Sequence, residues 1–288
     1  MSNALVRILA AAVAVPVLLY VLFLPDPQFF SAVVTVLGVL GLHELFLMLR
    51  RRGFRPFVAF GYAILLIIHI SVYQGIPRLP VVGFLVQPVV FLTLLVLGLL
   101  MAQVTRGHSE ENLPNMSVTA FAVLYIGWLS SFIIRLRGIP EGEKWVFLLI
   151  IITAVFDTGA YAWGMNFGKT KMWVDVSPGK SWEGFWGGTI TALVVVWLFR
   201  ALPGMFPSLP ALFPSKADTP VLLILTLIGA AFAQLGDLAE SMVKRYAKVK
   251  DSGVFMPGHG GMLDRIDSFL FTAPLVYMAA VLMGAASF

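Results

Sequence analysis

Apolar residues run along this chain in long, near-continuous blocks, of which Ala4–Leu24, Phe29–Leu49 and Val146–Trp163 are the clearest. Such blocks match the ~20 residues that a helix needs to cross a hydrocarbon core. Charged or Pro/Gly breaks divide the chain into nine predicted spans: 4–24, 29–49, 57–73, 82–102, 117–136, 145–164, 185–202, 221–239 and 266–286. The first is too long for the apolar region of a signal peptide. It runs into Leu24-Pro25-Asp26-Pro27 without a small-residue cleavage site, so it reads as a retained helix.

Composition supports the pattern. Hydrophobic residues make up 59% of the 288 positions and charged residues only 12%, against about 25% charged in soluble domains. No internal repeat, low-complexity tract or long linker appears. The expected fold is therefore all-α: one polytopic membrane domain over residues 1–288, with N-terminal helices in 1–136 and catalytic helices and loops in 145–288.

There is no cysteine, which removes disulfides, Cys-ligated metals and thiol catalysis together. The net charge of +5 is spread over short loops rather than one face, so an anionic leaflet or a phosphorylated substrate explains it better than nucleic acid does.

With nine spans, alternate loops fall on opposite sides. Arg7, Arg50, Arg51, Arg52, Arg55, Arg106, Lys169, Lys171, Lys180, Lys244, Arg245, Lys248, Lys250 and Arg265 share the N-terminal side. Arg78, Arg135, Arg137, Lys144, Arg200 and Lys216 share the other. The imbalance places the N-terminus in the cytoplasm and the C-terminus outside, in a multi-pass cell (inner/plasma) membrane protein.

The chemistry gathers in two loops on that cytoplasmic side, 165–184 and 240–265. If the last helix begins near Gly261, Asp264 and Asp267 lie three residues apart on one face at membrane entry, where two carboxylates repel unless a cation lies between them. Carboxylate oxygens suit Mg²⁺, which takes one or two protein carboxylates plus substrate phosphate oxygens, and Asp237 is the natural third ligand. Helix-start charges paired locally would be the plainer account, but three carboxylates near membrane entry favour a metal.

Lys244 and Arg245 sit nearest these carboxylates and read as phosphate contacts. Lys248 and Lys250 fit a solvated ladder equally well. The turn Pro257-Gly258-His259-Gly260-Gly261 can bring backbone N–H groups to an anion at a helix N-terminus. His259 could be a phosphate donor, an acid for the leaving group or a turn-stabilising hydrogen bond.

The earlier loop repeats the logic, with Asp157 inside an apolar span and Ser177-Pro178-Gly179-Lys180-Ser181-Trp182-Glu183-Gly184 before a helix. It lacks the spacing of a phosphate-binding P-loop, but Lys180 before a helix start still suits a nucleotide phosphate. An intramembrane Asp157 marks a functional site or an interhelix hydrogen bond. His43 and Glu44 gain no chemical role from a neighbouring motif, and His69 reads as a hydrogen-bonded core histidine.

The run Ser241-x-x-Lys244-Arg245-x4-Lys250-Asp251-x-Gly253-x2-Phe255-x-Pro257-x-His259-Gly260-Gly261-x-x-Asp264-Arg265-x-Asp267 resembles the signature of the phosphatidate cytidylyltransferase, or CDP-diglyceride synthetase, family. The segments at Gln234–Glu240, Asp157 and Ser177 are similar to the same family. Over the C-terminal half the likeness is in register; over the N-terminal helices it is loose.

The resemblance implies that CTP and phosphatidic acid give CDP-diacylglycerol and pyrophosphate, with Mg²⁺ and a second cation such as K⁺, in a membrane homodimer. By matched position, Asp237, Asp264 and Asp267 are the metal carboxylates. Ser177, Lys180, Ser241, Lys244, Arg245, His259, Gly260, Gly261 and Arg265 fall on nucleotide or phosphate positions. Met165 departs from the Arg that the family often has after the glycine matching Gly164.

Two other readings compete. A CTP-dependent kinase of a polyprenol or phytol would transfer the γ-phosphoryl group instead. A secondary transporter would use Asp157, Glu44 and the glycine-rich breaks as an ion path, but the charged residues cluster at one membrane face without a paired inverted repeat.

Overall fold

The computed structural model describes residues 16–17, 19–24, 26–73, 88–107, 109–206, 208, 210–253 and 260–285. It is a helical membrane protein. The helices are α1 (Pro27–Arg51), α2 (Val58–Val72), α3 (Pro88–Arg106), α4 (Asn112–Ala122), α5 (Leu129–Gly138), α6 (Gly142–Phe167), α7 (Trp182–Met205), α8 (Thr219–Ala247) and α9 (Leu263–Leu282). A π-helical turn, Val123–Trp128, joins α4 to α5.

Among the described residues, six continuous helices are long and apolar enough to cross a membrane: α1, α4 through α5, α6, α7, α8 and α9. Val58–Val72 and Val90–Arg106 are shorter apolar helices. Eight of the nine predicted spans thus coincide with helices among the described residues. The first, 4–24, lies mostly outside them.

Within this all-α fold, the loop after α6 pairs with itself. Strands β1 (Lys171–Trp173) and β2 (Ser177–Ser181) form an antiparallel hairpin. Glu183, in the first turn of α7, accepts from the backbone N–H groups of Lys169 and Thr170, which holds the hairpin base.

The chain sorts into two compact units. One comprises Met1–Gly138 with Tyr246–Ile266, the other Ile139–Arg245 with Asp267–Phe288. Residues Tyr246–Ile266 thus pack with the N-terminal helices.

In the first unit, α1 starts where Asp26 accepts from Gln28 N–H at 2.8 Å and Pro27 supplies a preset φ, and it ends on Arg50 and Arg51. Its buried face, including Leu42, Leu45, Phe46 and Met48, meets a core that includes Leu65, Val123 and Ile126. His69 is buried and polar-tied as expected: Nδ1 contacts Thr35 Oγ1 at 3.1 Å, and Nε2 contacts Ser130 Oγ at 2.9 Å and Gly127 O at 3.2 Å. Arg137 donates to the carbonyls of Leu22 and Leu24.

In the second unit, α6 and α7 pack backbone to backbone. A Cβ at Gly188 would stand 2.7 Å from Phe156 O and 2.8 Å from Ala160 N, and one at Gly184 would stand 2.9 Å from Ala160 O. Within a membrane, where apolar burial against lipid drives little association, such small-residue seams let van der Waals contact and backbone proximity hold helices together.

Glu141, just before α6, holds a left-handed backbone at φ 57°, uncommon for a non-glycine residue. Its carboxylate explains why the strain is tolerated. It binds Lys144 and accepts from Ser215 N–H at 2.7 Å and Ser215 Oγ at 2.6 Å. Burial pushes this carboxyl up, but the hydrogen bonds from Lys144 and Ser215 outweigh it and hold it at about 2.

A carboxyl depressed in the folded state adds stability above its unfolded value of about 4.3 and loses it as pH falls through the folded value. Glu141→Gln is therefore expected to melt below wild type at pH 7. The two melting temperatures should converge as pH falls from about 4.3 toward 2, measured by thermal unfolding of detergent-solubilised protein.

Candidate active site

Four of the predicted residues come together in the second unit with Asp157. Lys180, on β2, reaches Asp237 on α8 and forms an ion pair with its Oδ2. Ser241, one turn along α8, lies with its hydroxyl 3.4 Å from Asp237 Oδ1. Asp267, on α9, is buried and within electrostatic reach of Asp237 and Asp157, and Lys244 partly offsets that like charge.

Asp157, on α6, feels Lys180 and Asp237 and bonds Ser268, while its Oδ1 is buried without a hydrogen-bond partner. Of the two accounts open from sequence, the ionic neighbourhood puts Asp157 with the candidate site. The interhelix bond to Ser268 is present as well.

The closeness has a backbone cause. A Cβ at Gly236 would lie 2.5 Å from Asp267 O and 3.0 Å from Ser268 Cα. Glycine at 236 therefore lets α8 press against the first turns of α9, with Asp237 next in sequence.

Lys244 pairs with Glu240 one turn back on α8, and the Glu240 side chain is wholly buried. Arg245 is exposed and donates through Nε to Val176 O at 3.0 Å, fastening α8 to the hairpin. Ser177 opens β2 opposite Trp173. Lys244 and Arg245 thus have protein partners that the phosphate reading did not foresee.

In the first unit, Asp264 takes different partners from Asp267. Its Oδ2 accepts from Gly261 N–H at 2.7 Å and Ser252 N–H at 3.0 Å and meets Ser252 Oγ at 2.9 Å. Gly260 sits at φ 82°, in the left-handed region that glycine adopts without strain, and starts the entry to α9. Arg265 is exposed in the first turn, and His259 lies outside the described residues.

Glu44, given no role by sequence, is buried on α1 and accepts from Met262 N–H at 2.9 Å and Leu263 N–H at 2.8 Å. An intramembrane carboxylate was the available signal for it. Nothing in local spacing could pair it with residues more than 200 positions away.

Among the described residues, no three His, Cys, Asp or Glu side chains form a ready-made metal group. The donor chemistry still fits a hard cation. Asp157, Asp237, Asp267 and Glu240 are set against Lys180 and Lys244, and an unpartnered buried oxygen on Asp157 is costly unless a ligand meets it.

The sequence model of the Cytidylyltransferase family matches residues 5–283. The chain belongs to that family. Among relatives, it is 40% identical over 166 residues to "Phosphatidate cytidylyltransferase" of Bacillus subtilis (strain 168), a stretch covering 56% of each chain. It is 40% identical over 155 residues to the protein of that name from Staphylococcus aureus (strain COL), covering 54% of this chain and 55% of the relative. The protein so named from Staphylococcus epidermidis (strain ATCC 12228 / FDA PCI 1200) is 37% identical over 155 residues, with the same coverage. The match therefore spans about half the length of these relatives.

Proposed function

We propose that this protein transfers the CMP moiety of CTP to phosphatidic acid, giving CDP-diacylglycerol and pyrophosphate in phospholipid synthesis. The observation that carries the reading is the half-buried ionic cluster of Asp157, Lys180 and Asp237 around the buried Asp267 in a membrane member of the cytidylyltransferase family.

A phosphate oxygen of phosphatidate attacks the α-phosphorus of CTP in line. The bond from the α-phosphorus to the bridging oxygen breaks, and pyrophosphate leaves. The nucleophile is already anionic and needs no strong base. The obstacle is repulsion between two polyanions and the charge that develops on the leaving group.

Mg²⁺, when bound, would neutralise phosphate charge and stabilise the leaving oxygen. The sequence assigns it to Asp237, Asp264 and Asp267, of which the second unit itself brings Asp237 and Asp267 together. The hairpin fixes Lys180 beside Asp237, where its ammonium can meet a nucleotide phosphate. A second cation such as K⁺, a homodimer, a cytoplasmic N-terminus and a site open to the cytoplasm belong to the same reading.

The test uses purified protein, phosphatidate, Mg²⁺ and CTP labelled at either the α- or the γ-phosphate, with EDTA as control. Label from the α position should enter the lipid and label from the γ position should leave as pyrophosphate, both abolished by EDTA. Label from the γ position in the lipid would instead establish a CTP-dependent lipid kinase.

A further inference from the structure

We propose that Glu44 is a positioning residue for this reaction: through Ser252 and the backbone at the start of α9, it sets the direction of the Asp264 carboxylate. The inference rests on the reading of Asp264 as a cation ligand given above.

Glu44 is 6% exposed, and a carboxylate so buried persists only when its oxygens are hydrogen-bonded. Oε1 accepts from Met262 N–H. Oε2 accepts from Leu263 N–H and meets Ser252 Oγ at 2.8 Å. Those two N–H groups are among the donors that a helix start leaves without intrahelical partners, so an anion there is also favoured by the helix dipole.

A helix cap alone would end at that point. Here the Ser252 hydroxyl also lies 2.9 Å from Asp264 Oδ2. It has one hydrogen and stands between two carboxylates, so its position is set by both. Asp264 Oδ2 is further held by the N–H groups of Ser252 and Gly261. A shift of Glu44 moves Ser252, Met262 and Leu263 together, and Asp264 with them.

The glycines around the knot leave room for it. A Cβ at Gly253 or at Gly261 would overlap the Glu44 carboxylate, and one at Gly261 would also overlap Ser252 Oγ. Both positions are open only because no side chain is there.

Partners that orient a ligand commonly change metal affinity or activity by about 10- to 100-fold when replaced. Glu44→Gln keeps the shape but turns an NH₂ toward N–H donors. In the full-length protein with phosphatidate in mixed micelles, the half-saturating Mg²⁺ concentration is expected to rise by about tenfold or more. The KM for phosphatidate should stay near wild type, while the melting temperature falls modestly because buried N–H donors lose an acceptor. Without Mg²⁺ or CTP, the Met262 and Leu263 amides should exchange hydrogen faster than in wild type.

An unshifted Mg²⁺ curve, or equal losses in every kinetic parameter, overturns the proposal. Should Glu44→Gln fail to fold, Ser252→Ala removes the hydroxyl between the carboxylates. It should raise the Mg²⁺ requirement in the same direction, and a wild-type curve overturns the proposal. A wild-type protein inactive with CTP and phosphatidate overturns the functional reading and this inference together. An active wild type with unshifted variants overturns the inference alone.

Discussion

Replacing Asp237 by Asn should lower CDP-diacylglycerol formation by about 10²- to 10³-fold, the loss typical of removing one group that stabilises charge in the transition state. Asn is nearly isosteric, so the packing of α8 should survive, with elution and melting temperature close to wild type. The change removes the ionic partner of Lys180 and takes a negative charge from beside Asp267. Without that carboxylate, the hairpin cation loses its ion-pair partner, and a divalent ion would lose a hard oxygen donor. Incorporation of α-labelled CTP into lipid reads the effect, and near-normal turnover would remove Asp237 from the reaction.

Gly188→Leu should destabilise the second unit by about 3 kcal/mol or more, above the usual range for overpacking because the obstacle is backbone rather than a movable side chain. The added carbons must displace Phe156 O and Ala160 N on the facing helix. Since α6 also carries Asp157, spreading the seam should reduce turnover along with melting temperature. Gly204→Ala is the control. A Cβ there meets nothing within 4 Å, so the variant should match wild type or gain slightly in stability from better helix propensity. Thermal unfolding in detergent compares the two, and a Gly188→Leu protein as stable as the control would show that the seam is not tight.

Much of the fold is legible in the amino-acid order alone. Lipid demands that every backbone group be satisfied within the segment, so long apolar runs leave helices as the solution, and α1, α6, α7 and α8 coincide with the blocks that predict them. Asp237 and Asp267 are legible because carboxylates at membrane entry are rare.

The partners are less legible. Lys180 meets Asp237 because a hairpin folds back between α6 and α7, and the hairpin's strands are too short to leave an alternation pattern. Spacing on a helix put Asp264 and Asp267 on one face. Asp264, in the first turn, instead reaches back to Gly261 N–H and across to Ser252, a choice governed by unsatisfied donors rather than periodicity. The pairing of Glu44 with Met262 and Leu263 joins distant parts of the chain, which no local pattern encodes.

The π-helical turn at Val123–Trp128 acts as a phase shifter for α5. One surplus residue advances a helix by roughly 100° and 1.5 Å. Every side chain from Leu129 to Gly138 therefore points where it does because of that single insertion. In this phase Arg137 donates to the carbonyls of Leu22 and Leu24. Excising one residue from the turn would restore regular α-helical hydrogen bonding yet swing that guanidinium away from both acceptors, so continuity here is worth less to the protein than angle.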